Sequence, residues 1–292
     1  RIGSSAASDV YKRQPVGNYR YFFMSQLNVG TLNVGTTQFT GDSTTLNSAP
    51  ASTITGMLTG TPSANHSIMW NGSAWVPQAM EGRLLGVNVY TSQNGTWNSK
   101  STSSGSGTWN KPSGCSNVLV YVTGGGGGSR INDNSYRGAG GGGGATAIKW
   151  IDVSGVSSVS YTYGGGGGYA RNNGRGGSGG TSSFGSYCSA TGGDGGYTDN
   201  PYEGGHGGNA SGGDINLPGG GGGMSHGDSN ENVGGPSFWH RAGSHHHNTS
   251  TNAETTHGQW GSGGSHGYYS QNSYAYGNSY GGAGCVIVYN YS

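Results

Sequence analysis

Asn117-Val118-Leu119-Val120-Tyr121-Val122-Thr123 runs without a break into five glycines, 124–128. The seven residues are aliphatic, β-branched and aromatic, the composition of a strand. The five that follow have no side chain to pack. Each loses the most backbone freedom on ordering, about 0.5–1 kcal/mol relative to Ala. A second strand signal, Cys285-Val286-Ile287-Val288-Tyr289-Asn290-Tyr291, stands near the C-terminus. Between the two lie further pentaglycines at 140–144, 164–168 and 219–223, and 51 of the 178 residues from Cys115 onward are Gly. Such a region is either disordered or held by something other than side chains.

Order is favoured by three features. Charged residues make up only 9%, so self-repulsion does not hold the chain open. Aromatics reach 11%, with 19 Tyr. Strand signals at both ends of the glycine region suggest a segment closed by pairing its termini. Two packings suit the runs themselves. Glycine strands lie flat in a sheet, where a ring or another backbone approaches closely. Alternatively, the runs take the extended threefold helix with three residues per turn and no internal hydrogen bonds. They then bond to one another through N–H and C=O, since buried backbone groups need partners. In either packing a Cβ at Gly165 has no room, and bulky residues are pushed outward into loops.

Further strands are expected at 145–151, 157–163 and 181–187, and Val118, Val120 and Val122 alternate with Leu119 and Tyr121. No helix is expected. Residues 81–114 read as a junction holding a strand near Leu84–Tyr90. There Gly95-Thr96-Trp97-Asn98 is echoed by Gly107-Thr108-Trp109-Asn110, and both Trp rings are expected flat over glycine backbone, with sugar stacking the less favoured alternative. In 15–80, rich in Thr, Ser and Asn, Leu27-Asn28-Val29-Gly30-Thr31 is repeated at once by Leu32-Asn33-Val34-Gly35-Thr36. This is either a repeat-built elongated element or a flexible linker. Across 67–77, Asn71-Gly72 between strand residues favours a hairpin with a type I′ turn that brings Trp70 and Trp75 together. Residues 1–14 read differently. Their end, Asp9-Val10-Tyr11-Lys12-Arg13-Gln14, resembles the translation of a transposase end sequence, so they are left out of fold reasoning and the natural chain is expected to be longer.

Net charge is +1, and no basic patch for nucleic acid stands out. No apolar run approaches the ~20 residues of a membrane helix. Cys115, Cys188 and Cys285 are too few for a disulfide framework. Because Cys115 and Cys285 begin the two bracketing strands, they are expected near each other as free, small hydrophobes. The runs lack the Gly-Lys-Ser/Thr ending of a phosphate loop, and no cofactor is expected. Carboxylates such as Asp194, Asp214 and Glu254 sit on glycine loops, a poor platform for the ~5–9 Å spacing of a glycosidase pair. Eight of nine His lie in 206–266. His245 and His247 would share one face of a strand and are the metal candidates, a compositional cue only.

The more promising set is aromatic. Tyr197, Tyr202, His206, Phe238, Trp239, His240, Trp260, Tyr268, Tyr269, Tyr274 and Tyr276 stand amid Gly, Ser and Asn. Rigid amphipathic rings among small hydrogen-bonding residues are the mixture of adaptable binding loops. They are the candidate receptor-binding residues, with capping of glycine sheets the competing role for about half of the Tyr.

Several motifs together resemble bacteriophage tail fibres. Trp70-Asn71-Gly72-Ser73-Ala74-Trp75-Val76-Pro77, the Leu-Asn-Val-Gly repeats and Gly82–Thr91 are similar to fibre shaft segments. Gly107-Thr108-Trp109-Asn110-Lys111-Pro112 before a Val-rich strand and pentaglycine resembles the glycine-rich distal domain, as do residues 179–185 and the closing 281–288. The resemblance implies an all-β chain with an elongated, low-complexity β shaft at 15–80. The junction at 81–114 then leads to a glycine-rich, β-sandwich-like distal domain at 115–292 with polyglycine runs and long loops. It implies a homotrimeric, extracellular tail-fibre tip with no enzymatic activity, which binds a host surface receptor, an outer-membrane protein or a glycan, without membrane insertion. A glycine-rich extracellular structural or cell-surface protein is the alternative, and a polysaccharide depolymerase a further one.

Overall fold

The computed structural model describes residues 15–16, 19–20, 31–34, 37–40, 66–79, 81–93, 101–132, 137–171, 174–197, 203–224, 231–241, 257–267 and 277–292. The chain divides into two units, Arg1–Met80 and Glu81–Ser292.

The described strands of the first unit form three antiparallel pairs: Pro15–Val16 with Tyr19–Arg20, Thr31–Val34 with Thr37–Thr40, and His66–Trp70 with Trp75–Ala79. The second pair starts at the boundary between the two five-residue repeats. In the third, Trp70 pairs with Trp75 and the rings stand 5.6 Å apart, as expected. The turn between them differs from the expected one. It is a four-residue loop in which only Gly72 has positive φ, +98°. The Asn71 side-chain oxygen accepts the amides of Ser73 at 3.0 Å and Ala74 at 2.8 Å. That local bond outcompetes the two-residue type I′ turn, as Asn side chains do when they can mimic a backbone acceptor.

The second unit holds two five-stranded antiparallel sheets. In the first the order is Ile215–Leu217, Thr146–Asp152, Asn117–Thr123, Cys285–Tyr291, Leu84–Tyr90. In the other it is Ala210–Ser211, Cys188–Ala190, Ser182–Phe184, Ser158–Tyr163, Gly105–Asn110. Val118, Val120, Val122, Val286 and Val288 from the first sheet pack with Trp109, Val159, Phe184 and Cys188 from the second in one buried cluster. The expected alternation along Asn117–Thr123 holds. Among the described residues there is no helix.

Trp109 differs from its expected place. It pairs with Val159, faces the sandwich core fully buried, and its indole N–H donates across the sheets to Asn290 Oδ1 at 3.0 Å. The rings that lie over glycine are Tyr161 on Gly107 and Tyr163 on Gly105, their direct cross-strand partners. Trp97 lies outside the described residues. Cys115 and Cys285 are also not neighbours. Asn117–Thr123 and Cys285–Tyr291 run antiparallel, so Cys285 faces Thr123 while Cys115 stands at the other end. All three thiols are free and buried.

The outer face of the second sheet is built of hydroxyls. Ser106 and Thr108 pair with Thr162 and Ser160, Thr162 bonds to Ser183 at 2.9 Å, and Ser189 to Ser211 at 3.0 Å.

Above the sandwich the glycine runs form a lattice. The amides of Gly124 and Gly127 donate to Ala145 and Gly142, those of Gly125 and Gly128 to Gly180 and Gly177, and those of Gly126 and Ser129 to Gly282 and Ser279. Residues three apart therefore reach the same neighbour, and each neighbour runs the opposite way. The next run repeats this. Gly140 and Gly143 donate to Gly223 and Gly220, Gly141 and Gly144 to Gly264 and Gly261, and Gly142 and Ala145 to Asp194 and Thr191. Three neighbours at a three-residue period are the mark of the threefold extended helix, not of a flat strand, which offers bonds in one plane only. A Cβ at Gly125, Gly127 or Gly142 would overlap the carbonyl oxygen of Gly165, Asp194 or His206. At Gly165 it would overlap Thr102, so the expected lack of room there is real. Backbone bonding, each bond contributing about 0.5–1.5 kcal/mol net, replaces side-chain packing in this half of the unit.

Candidate functional site

The lattice fixes where the variable residues go. Described runs rise from the sandwich at Thr123, Tyr163, Ala190 and Leu217, and each is followed in sequence by a described run that descends. At the end remote from the sheets, the described chain stops at 132, 171, 197, 224 and 267 and resumes at 137, 174, 203, 231 and 277. Five returns thus share one end. Two three-stranded sheets bind their stems: Arg137–Ala139, Arg130–Asn132 and Ala170–Arg171 in one, and Glu231–Asn232, His266–Gly267 and Gly277–Asn278 in the other.

Arg130 anchors this end from within. It is almost fully buried, and its guanidinium donates from Nε to the Gly174 carbonyl at 3.1 Å and from Nη1 to the Tyr197 carbonyl at 3.2 Å. It thereby ties two returns to the first run. Outside it sits a polar aromatic cluster. The Tyr197 hydroxyl donates to Asp194 Oδ2 at 2.9 Å, and the Arg175 guanidinium lies 3.8 Å from the centre of the Tyr197 ring. Arg175 also pairs with Asp194 Oδ1 at 3.3 Å, and Ser178 Oγ donates to the same oxygen at 3.2 Å. The His206 ring meets Tyr197 edge-on with centroids 5.4 Å apart. Burial, then the Asp194 bond and charge, hold the Tyr197 phenol above its ordinary pKa. It is a fixed neutral donor at physiological pH. Nearby runs carry a second ring group, in which Tyr280 meets Tyr169 at 5.1 Å and His257 at 5.3 Å.

The other described candidates lie at the sandwich end, one run length away, about 15–20 Å at ~3.1 Å per residue. Trp239 donates its indole N–H to Thr123 Oγ1 at 2.9 Å and packs on Tyr121 at 5.2 Å. Phe238 stands edge-on to Trp239 at 4.9 Å and is 48% exposed. His240 Nδ1 is 3.3 Å from Ser262 Oγ. Trp260 occupies a turn closed by the Ser262 amide on the Gln259 carbonyl, with φ +48° at Trp260 and +82° at Gly261. The structure therefore brings Tyr197 and His206 together and sets Phe238, Trp239, His240 and Trp260 apart from them. Tyr202, Tyr268, Tyr269, Tyr274, Tyr276, His245 and His247 lie outside the described residues. Among the described residues no three His, Cys, Asp or Glu converge as for a metal, and no helix is long and apolar enough to cross a membrane.

Neither Asp194 nor its partner Arg175 was among the receptor-binding candidates. A signal for Asp194 existed: three residues per turn places Asp194 and Tyr197 on one side of their run. Read with a strand's two-residue period, they fall on opposite sides.

Together these side chains offer a ring edge, a phenol, a guanidinium, a carboxylate and an imidazole on a stiff mount. That is equipment for recognition by hydrogen bonding and stacking. Residues 101–291 match the glycine-rich domain family, and the chain belongs to that family. No match was found among curated proteins.

Proposed function

We propose that the chain is the receptor-binding tip of a bacteriophage tail fibre, an adhesin that attaches the virion to a bacterial surface molecule. The observation that carries the reading is the single end to which the lattice brings all five returns. A scaffold whose interior is backbone tolerates almost any sequence in its turns, which is what a host-range determinant needs. The Tyr197–Arg175–Asp194 cluster sits on that end, held by Arg130. Aromatic faces beside fixed donors and acceptors suit a surface glycan or the exposed loops of an outer-membrane protein. Several copies on one fibre, a homotrimer in this reading, multiply a modest single-site affinity through effective concentration.

The test is binding of the labelled full chain to whole bacterial cells, untreated, protease-treated or periodate-treated. Saturable binding lost after one of the two treatments supports the proposal and names the receptor class. Paired variants Arg175→Ala and Tyr197→Ala should weaken it while the β-type circular dichroism is unchanged. Absence of saturable binding across a broad panel of bacteria would overturn the proposal.

A further inference from the structure

The first sheet is apolar on both faces. Its inner side is the sandwich core. On its outer side Val89, Ile287, Tyr121, Ile148 and Ile215 stand in one cross-sheet row, and the next row ends in Val87 and Trp150. Val87, Val89, Trp150 and Ile215 are 44%, 51%, 48% and 52% exposed. Among the described residues Phe238 and Trp239 cover the middle of the first row, at Tyr121 on the central strand, and Ile287 beside it is buried, so the open apolar surface lies to either side of them. The strands read as near-continuous hydrophobic runs, the composition of strands buried on both faces. The second sheet of the same unit shows the contrast, for its outer face is Ser and Thr.

We propose that this outer face is the interface through which further copies of the same chain assemble. Its extent matches the need. Four strands of seven residues, ~4.8 Å apart and rising ~3.3 Å per residue, span a plane of about 450 Å². Side chains standing off that plane, with the half-exposed Phe238 ring seated on its centre, bring the accessible area toward the ~600 Å² per partner at which stable interfaces begin. The chemistry selects the occupant. Non-obligate interfaces are no more apolar than the rest of a surface, whereas homo-oligomer interfaces are apolar at the core. The two rows carry no charge, and the chain's formal charge is only +1, so identical copies do not repel. The sheet also ends in Leu84–Tyr90, seven residues without a charge or a proline. That is an edge left open to pairing where a lone subunit would guard it.

The inference rests on the several-copy display of the fibre reading and fails separately from it. Light scattering on the full chain should give a multiple of 29.5 kDa. Val89→Lys and, independently, Trp150→Lys should reduce it to a single 29.5 kDa species, while Ser160→Lys on the hydroxyl face should leave the multimer intact. A parent chain that is monomeric at micromolar concentration overturns the inference, and so do folded Lys variants that keep the parent mass. A monomer that still binds cells removes only the interface. A multimer that binds none removes only the adhesin reading.

Discussion

Replacing Gly127 with Ala adds one methyl to the centre of the lattice. The new Cβ would overlap the Asp194 carbonyl oxygen and stand 2.9 Å from Gly195 N. Both obstacles are backbone, so neither can swing aside as a side chain would. Ordinary contact of about 3.5 Å requires the runs at 124–128 and 191–196 to separate by about 1.5 Å. They are joined by Gly193 N–H to Gly125 O at 2.9 Å and Gly196 N–H to Gly128 O at 3.0 Å. Opening by that amount takes both beyond the ~3.2 Å limit of a useful bond. Each buried group left without its partner costs about 1–3 kcal/mol. Ala gains back about 0.4–1 kcal/mol through the unfolded state. The net loss is about 2–5 kcal/mol, a large share of the ~5–15 kcal/mol that holds a domain. Gly168→Ala is the matched control: it is also in a pentaglycine, but its Cβ would meet nothing within 4 Å. It should be neutral or slightly stabilising. Urea denaturation followed by circular dichroism measures both. Equal midpoints for the two variants would refute close backbone packing.

Trp109→Phe should cost about 2–4 kcal/mol in the same assay, because it leaves a void in the core and removes the donor to Asn290. Trp260→Asn should leave stability at or above the parent value, since Asn tolerates the left-handed backbone that costs a bulky residue about 1–2 kcal/mol; calorimetry reads the sign. Burial pushes the Cys285 thiol up to about 12 and the Cys188 thiol up to about 11. Both folded values exceed the unfolded one, so their contribution is complete below pH ~9 and is lost as pH rises toward 11–12. Stability measured against pH should fall across that window. A thiol reagent should label neither Cys188 nor Cys285 until the chain unfolds.

The bracketing strands were legible because β-branched runs without glycine stand out against a glycine background. Their relative direction was not, because a two-residue period is the same read either way, and the neighbourhood of Cys115 was misjudged for that reason. Trp109 looked like a cover for glycine from its flanking residues. Its place in the core is set by its register against Val159, a non-local fact. The lattice was legible as an alternative to flat strands; what decides for it is that the runs at 124–128 and 140–144 each donate to three different neighbours. Trp239, amid Gly, Ser and His, had the composition of a displayed ring, yet its indole is bonded to Thr123, 116 positions away. Asp194 was weighed only for catalysis and not for the threefold spacing that sets it beside Tyr197.

Amide hydrogen exchange on the full chain addresses the lattice itself. Every amide from Gly124 to Gly128 is bonded to another run, so all five should exchange as slowly as those of Asn117–Thr123. Exchange at the rate of a free peptide across 124–128 and 140–144, beside protected strands, would mean that the glycines are not packed against one another, and the scaffold for a binding end would be gone.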